Sequence, residues 1–302
     1  MSTPHGHSVV VGIDGSDTST SAALWGAEVA SKWETPLSLV HVLPREGPLY
    51  HANQYSPAAA GTMEERAPGE IREDGEAIID KSRKMLEQQF PKLDIDITIT
   101  PGSGGKNLLA AAERARLIVL GSTGSGTIRS ALVGSTALHV ANHAKCPVVV
   151  LRGESGPPDQ RPVVVGLDGS DLSREAANHA FEFASFFDAP LICVHTWQGN
   201  PTLGSGTRKL MMDWEAMKEE EVALLSESLA GESEMYPDVP VTRVAEQSAP
   251  ATALMKHAEG GQLIVVGSHG RGRVLGALMG STSQNLLHHA HCPVMICRRE
   301  HH

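Results

Sequence analysis

The chain writes one plan twice, and that repeat limits its folds more than any other feature. Val9-Val10-Val11-Gly12-Ile13-Asp14-Gly15-Ser16 returns as Val163-Val164-Val165-Gly166-Leu167-Asp168-Gly169-Ser170. Gly121-Ser122-Thr123-Gly124, nine residues, then Gly134-Ser135 returns as Gly267-Ser268-His269-Gly270, nine residues, then Gly280-Ser281. A repeat this long means two homologous domains, not a solenoid of short units. Asp14 and Asp168 are 154 residues apart, as are His41 and His195, but Gly121 and Gly267, like Cys146 and Cys292, are 146 apart. The first half is therefore longer by 8 residues, between His41 and Gly121. The stretch from Pro44 to Pro68, with four prolines and few periodic apolar positions, reads as the inserted surface loop. The expected domains are residues 1–153 and 160–302, with the Gly-Pro-Pro segment between Arg152 and Pro162 as linker.

Each half alternates short apolar runs with helical patterns. Val9–Ile13, Leu37–Val42, Ile95–Thr100, Leu117–Gly121 and Val148–Leu151 read as strands in the first half. Val163–Leu167, Leu191–His195, Val239–Val244, Leu263–Gly267 and Val294–Cys297 follow in the second. Helices are expected between them, among them 70–90, 107–114, 134–143 and 213–229. Ser16 or Asp17 can cap the first, whose inner face carries Ala23, Ala27 and Ala30. Strands alternating with helices at this spacing imply an α/β fold with a parallel sheet in each half, covered on both faces.

In such sheets ligands bind beyond the carboxyl ends of the strands. Both repeated motifs sit there. Asp14 and Asp168 end the first strand of each half, and Gly121 and Gly267 end the fourth. A glycine turn that leaves a strand and opens a helix can cradle phosphate, because the backbone approaches closely and the helix start presents free N–H groups. Gly121 and Gly124 shape the first turn, and Gly134-Ser135 opens the next helix. The second copy uses Gly267, Gly270, Gly280 and Ser281, with Arg271 and Arg273 nearby. The same glycines could simply make tight turns. The carboxylates have two roles open to them: fixing the turn and capping the helix, or binding a ribose hydroxyl or a metal on phosphate. His41 and His195 read as hydrogen-bonded structural histidines, since no acid partner is evident.

Ser103-Gly104-Gly105-Lys106-Asn107 reads as a linker turn. It is not a P-loop, because Asn107 stands where Ser or Thr is needed.

A net charge of −10 and 4% aromatic residues argue against a nucleic-acid surface. No apolar run approaches the roughly 18 residues needed to span a membrane. Met1 to Ser8 shows no apolar signal region, so the expected address is cytoplasmic. The four cysteines, Cys146, Cys193, Cys292 and Cys297, lie in or beside apolar runs without a C-x-x-C pair, and read as buried reduced thiols. His5, His7, His301 and His302 read as parts of loose termini.

The Gly-Ile-Asp-Gly-Ser strand end, the Leu-Val-His-Val strand, the Gly-x2-Gly-x9-Gly-Ser motif and the Ala-Lys-Cys-Pro-Val-Val-Val ending together resemble the universal stress protein family, as a tandem of two such domains. The resemblance implies two Rossmann-like domains, each a five-stranded sheet flanked by helices, each binding one ATP with Mg2+ or Mn2+ on the phosphates. Carried over to this chain, the first site takes Gly12, Ile13 and Asp14 from the first strand end and the backbone of Val42 at adenine. Gly121, Ser122, Gly124, Gly134, Ser135 and Thr136 meet phosphate and ribose. The second takes Gly166, Leu167, Asp168 and Thr196, then Gly267, Ser268, Gly270, Arg271, Gly280, Ser281 and Thr282. Thr196 departs from the family's usual aliphatic residue.

The resemblance also implies pairing through the last strand of each domain, as an intrachain pseudo-dimer, with a homodimer as a further arrangement. No positioned base or nucleophile is evident in the sequence, so hydrolysis is expected to be slow at most. The competing classes are a true ATPase or nucleotidyl transferase, a nucleotide-free dimerising scaffold, and a flavin or electron carrier.

Overall fold

The computed structural model describes residues 8–44, 68–123, 133–153, 156–197, 222–223, 225–226, 229–270 and 279–298. The chain divides into two compact units, Met1–Ala144 and Lys145–His302. The expected loop between Pro44 and Pro68 and the expected helix 213–229 fall almost wholly outside the described residues, as do Gly124, Arg271, Arg273 and the terminal histidines.

In the first unit β1 (Val9–Ile13) lies between β2 (Leu37–Leu43) and β4 (Leu117–Gly121), and β3 (Ile95–Pro101) pairs with β2. All three pairings are parallel, in the order β3-β2-β1-β4. The second unit repeats this with β6 (Val163–Leu167) between β7 (Leu191–Trp197) and β9 (Leu263–Gly267), and β8 (Val241–Gln247) beyond β7. Register is kept as well: Val9 faces Leu37, and Val163 faces Leu191. The strands β1, β4, β6 and β9 are almost completely buried, as continuous Val, Ile and Leu runs require when both sheet faces are covered.

One strand crosses the sequence boundary. β5 (Val148–Leu151), the last strand of the first repeat, lies in the second unit. There it pairs antiparallel with β10 (Val294–Cys297), Val150 opposite Val294 and Val148 opposite Ile296. β10 is flanked on its other side by β9, in parallel.

The helices follow from local chemistry. α1 (Asp17–Lys32) starts at Ser16, whose hydroxyl accepts the Ser19 N–H, with Asp17 favourably placed in the first turn. α5 (Asp171–Phe186) starts at Ser170 in the same way. The expected helix at 70–90 is α2 (Pro68–Gln89). The expectation for α3 was off by one turn: the helix runs Gly104–Ala111, so the Ser-Gly-Gly-Lys segment is its first turn, not a linker. Two glycines argue against a helix by propensity. Packing overrides this, because a Cβ on Gly105 would lie 2.5 Å from Cδ2 of His139, on α4 (Ser135–His143).

α6 (Ala230–Met235), α7 (Pro250–His257) and α8 (Ser281–His289) complete the described helices. β8 begins after Pro240 and extends three residues past its expected end, because Thr196 and Trp197 of β7 still offer pairing partners to Glu246 and Gln247.

The two inner helices fill their cores with different residues at matched positions. Trp25 of α1 is 1% exposed, and its counterpart His179 is more exposed. Phe181 of α5 is fully buried where α1 has Ala27. An aromatic ring has thus moved two positions along the helix between the repeats. The four cysteines are buried and none is in a disulfide. Burial pushes the Cys193 thiol up to about 12 and the Cys292 thiol up to about 11, so both stay protonated.

Candidate functional site

Each unit has a cavity at the carboxyl ends of its strands, of about 260 Å³ in the first and about 290 Å³ in the second. The first is floored by Gly12, Ile13 and Asp14 from the end of β1 and by Val42 from β2. Gly121 and Ser122 at the end of β4, and Gly134, Ser135 and Thr136 at the start of α4, close the other side. The second cavity brings together Gly166, Leu167, Asp168 and Thr196 in the same way. Gly267 and Gly270 lie opposite, with Gly280, Ser281 and Thr282 at the start of α8. Ser268 does not line it; that side chain is 3% exposed.

The carboxylates are held by their own turns. Asp14 Oδ1 accepts the Ser16 N–H at 3.0 Å and the Ser16 hydroxyl at 2.6 Å, while Asp168 Oδ1 accepts the Ser170 N–H at 2.9 Å. Helix capping is left to the serines. Gly15 and Gly169 carry φ of +82° and +78°, a conformation that lets the chain turn straight from strand into helix. The second oxygen of Asp168 packs over the glycine turn, since a Cβ on Gly270 would lie 2.6 Å from Oδ2.

The turns are closed by matching bonds. Gly134 N–H donates to Ser122 O at 2.7 Å, and Gly280 N–H donates to Ser268 O at 2.8 Å. Gly134 and Gly280 are the N-caps of α4 and α8, with no side-chain cap. The first N–H groups of those helices therefore have no capping side chain and open on the cavity. Close packing fixes the strand ends. A Cβ on Gly121 would lie 2.8 Å from the backbone carbon of Thr18, and one on Gly12 2.7 Å from Leu120 Cδ2.

His41 and His195 are structural in the way expected. Each ring holds the carbonyl at the end of the neighbouring strand through Nδ1, His41 to Ile13 O and His195 to Leu167 O, both at 2.7 Å. A carbonyl only accepts, so Nδ1 carries the proton in both.

Repeat logic alone did not single out the apolar walls. Val40, Leu108 and Leu120 line the first cavity, and Val194, Leu254 and Val266 take the same places in the second. Their spacing of 154 or 146 residues was the available signal. The cavities also differ. Thr123 in the first corresponds to His269 in the second, and Ala137 to Ser283. The Thr18 hydroxyl donates to Thr123 O in the first unit. Leu172 takes the place of Thr18 in the second and packs against Gly267. There Ser283 donates to Gly267 O at 2.8 Å and Ser268 Oγ lies 3.2 Å from Nδ1 of His269.

Among the described residues no group of three His, Cys, Asp or Glu side chains could hold a metal ion. No described helix is long and apolar enough to cross a membrane.

The sequence profile of the universal stress protein family matches residues 6–152 and again 160–298. The chain is 35% identical over 299 residues to universal stress protein Rv2005c of Mycobacterium tuberculosis, with 97% of each chain covered. It is 34% identical over 300 residues to universal stress protein Rv2623 of the same species, with 96% of each covered. A crystal structure of a universal stress protein from Archaeoglobus fulgidus superposes with a TM-score of 0.71 at 18% identity, covering 98% of this chain and 97% of that one.

Proposed function

The chain belongs to the universal stress protein family, with two tandem domains, and on that footing we propose that each domain binds one ATP. One observation carries the reading. Twice in the chain, a strand-end carboxylate, a glycine turn and an uncapped helix start converge on one cavity. The volumes lie near the lower end for small-ligand pockets, roughly 300 Å³ and upward, which suits a nucleoside held inside with phosphates toward the mouth. The apolar walls take the base, Asp14 and Asp168 take ribose hydroxyls, and the α4 and α8 N-termini take phosphate. Mg2+ or Mn2+ carried on the nucleotide would neutralise part of the phosphate charge.

Occupancy then acts as a regulatory signal in stress response or growth, with slow hydrolysis at most. Four cysteines, none in a disulfide, fit a cytoplasmic address. The antiparallel pairing of β5 with β10 supports a pseudo-dimer within the chain. Because β10 is flanked on both sides, a homodimer would need another surface.

Mass spectrometry of nucleotide released on denaturation tests the reading. ATP near two per chain is expected, falling toward one in either Asp14→Ala or Asp168→Ala. Protein that is empty after purification and stays empty in an ATP titration would leave the scaffold reading in its place.

A further inference from the structure

We infer that Thr196 makes the second site select the base of its nucleotide by a side-chain hydrogen bond, a contact that Val42, at the matching place in the first site, cannot make. The inference rests on the nucleotide reading above and goes beyond it by giving the two sites different base preferences.

Val42 and Thr196 stand 154 residues apart, the spacing of the repeat in this part of the chain. Both line their cavities, and so do Val40 and Val194, two residues earlier on the same strands. Residues two apart on a strand share a face, so the side chains of Val42 and Thr196 point the same way as those valines. The backbone at both places is held by pairing: Val42 is in register with Thr100 on β3, and Thr196 with Glu246 on β8. Both residues are half-buried. The facing walls also match, with Leu108 and Leu120 in the first cavity and Leu254 and Val266 in the second. Between the repeats, a hydroxyl has replaced one methyl group in an otherwise apolar wall.

Valine and threonine are both β-branched and nearly equal in size, so the exchange alters the chemistry of the wall and not its shape. Among the described residues the Thr196 hydroxyl has no hydrogen-bond partner. The Ser173 hydroxyl in the same cavity, by contrast, donates to Ser170 O at 2.9 Å. A threonine hydroxyl both donates and accepts, so it can meet an amine or a ring nitrogen. While the cavity is open, solvent reaches it. A base seated on the apolar wall takes the place of that solvent. It must then present a polar group to the hydroxyl or leave the hydroxyl unsatisfied, which weakens binding. Val42 sets no such condition, because an apolar wall asks only for fit.

The test is a calorimetric titration with ATP and with ATP analogues that each lack one polar group of the base. In one set a single ring nitrogen is replaced by C–H; another analogue lacks the exocyclic amine. The proteins are wild type, Thr196→Val, Thr196→Ser and the reciprocal Val42→Thr. At one wild-type site, the analogue missing the group that meets Thr196 should lose about tenfold more affinity than at the other, the scale of a single hydrogen bond. Thr196→Val should make both sites rank the analogues alike. Thr196→Ser, which keeps the hydroxyl, should keep the difference, and Val42→Thr should give the first site the ranking of the second. Backbone contacts to the base are common to both sites and drop out of the comparison. Thr196→Ala serves if the Val variant does not fold.

Two wild-type sites that rank every analogue alike, a difference that survives in Thr196→Val, or a first site that Val42→Thr leaves unchanged would overturn the role of Thr196 and leave the nucleotide reading standing. So would a wild type that takes up one nucleotide, with a ranking that Thr196→Val does not move. Wild type that takes up neither ATP nor any analogue would overturn both.

Discussion

At the mouth of the first cavity stands Thr123; at the same place in the second stands His269. Behind Thr123, a hydroxyl from α1 holds the loop by its carbonyl. In the second unit a leucine packs against Gly267 in place of that hydroxyl, and a serine from α8 holds the strand end instead. The backbone bonds that close the two turns differ by only 0.1 Å. Duplication has therefore preserved the frame, where one altered bond would move every donor. Some of the side chains that line the cavities have been free to diverge. A repeat identifies the machinery by what stays the same and the specificity by what does not.

The largest test of this separation is in the core. Phe181→Ala should cost about 4 kcal/mol, the usual loss for emptying a fully buried aromatic site. Trp25→Ala should cost about as much in the other unit, whereas Ala27→Phe should destabilise by overpacking, about 2 kcal/mol. Urea unfolding followed by tryptophan and far-UV signals measures all three. An Ala27→Phe protein as stable as wild type would mean that the two cores tolerate exchange at this position.

Next in size are the strand-end glycines. A Cβ on Gly121 would meet both the side chain and the backbone of Thr18 at 2.7–2.9 Å, whereas on Gly267 it would meet Leu172 at 3.0–3.1 Å. Gly121→Ala is expected to lose about 3 kcal/mol and Gly267→Ala about 1 kcal/mol, as thermal unfolding would show. Equal losses would mean that the α1 contact gives way as easily as the α5 contact.

How much of this could be read from the chain depended on which force decided each element. Buried strands were legible because burial on both faces demands unbroken apolar runs, and the first cap was legible only to within Ser16 or Asp17, of which Ser16 takes the place. The first turn of α3 was illegible. Gly104 and Gly105 argue locally against a helix, and what makes them acceptable is a ring, His139, that arrives from a distant part of the sequence. The glycine motif located both cavities, yet it treats residues 123 and 269 as unspecified positions. Only the cavity lining shows that they face the cavities. β5 was readable as a strand, but its place in the second unit depends on a pairing far along the chain.

The smallest predicted effect concerns acid. His139 stacks on His143 with ring centroids 4.4 Å apart, and His143 Nδ1 bonds His139 O at 2.8 Å. Burial first, then the charges of His143 and Lys106, hold the His139 imidazole below its ordinary value of 6.5. The unfolded chain therefore binds this proton more readily than the folded one. The first unit should lose stability as pH falls through and below 6.5, and be indifferent to this group above it. His139→Asn, which installs the residue found at the matching position 285, should flatten that part of the profile by a few tenths of a degree to a degree or so in Tm, roughly the scale of a surface-level interaction. A variant whose profile between about pH 5 and about pH 8 overlays wild type would remove His139 from the account.

The placement of β5 has a consequence for how the protein is made. On the ribosome, Val148–Leu151 emerges before any of the second repeat exists, and its antiparallel partner Val294–Cys297 lies beyond the rest of that repeat. For the whole synthesis of the second repeat, a short valine-rich strand waits with that edge unpaired. Such an edge is a template for any neighbouring nascent chain. Crowded polysomes, rather than the finished molecule, are where this architecture is most exposed to pairing with the wrong copy of itself.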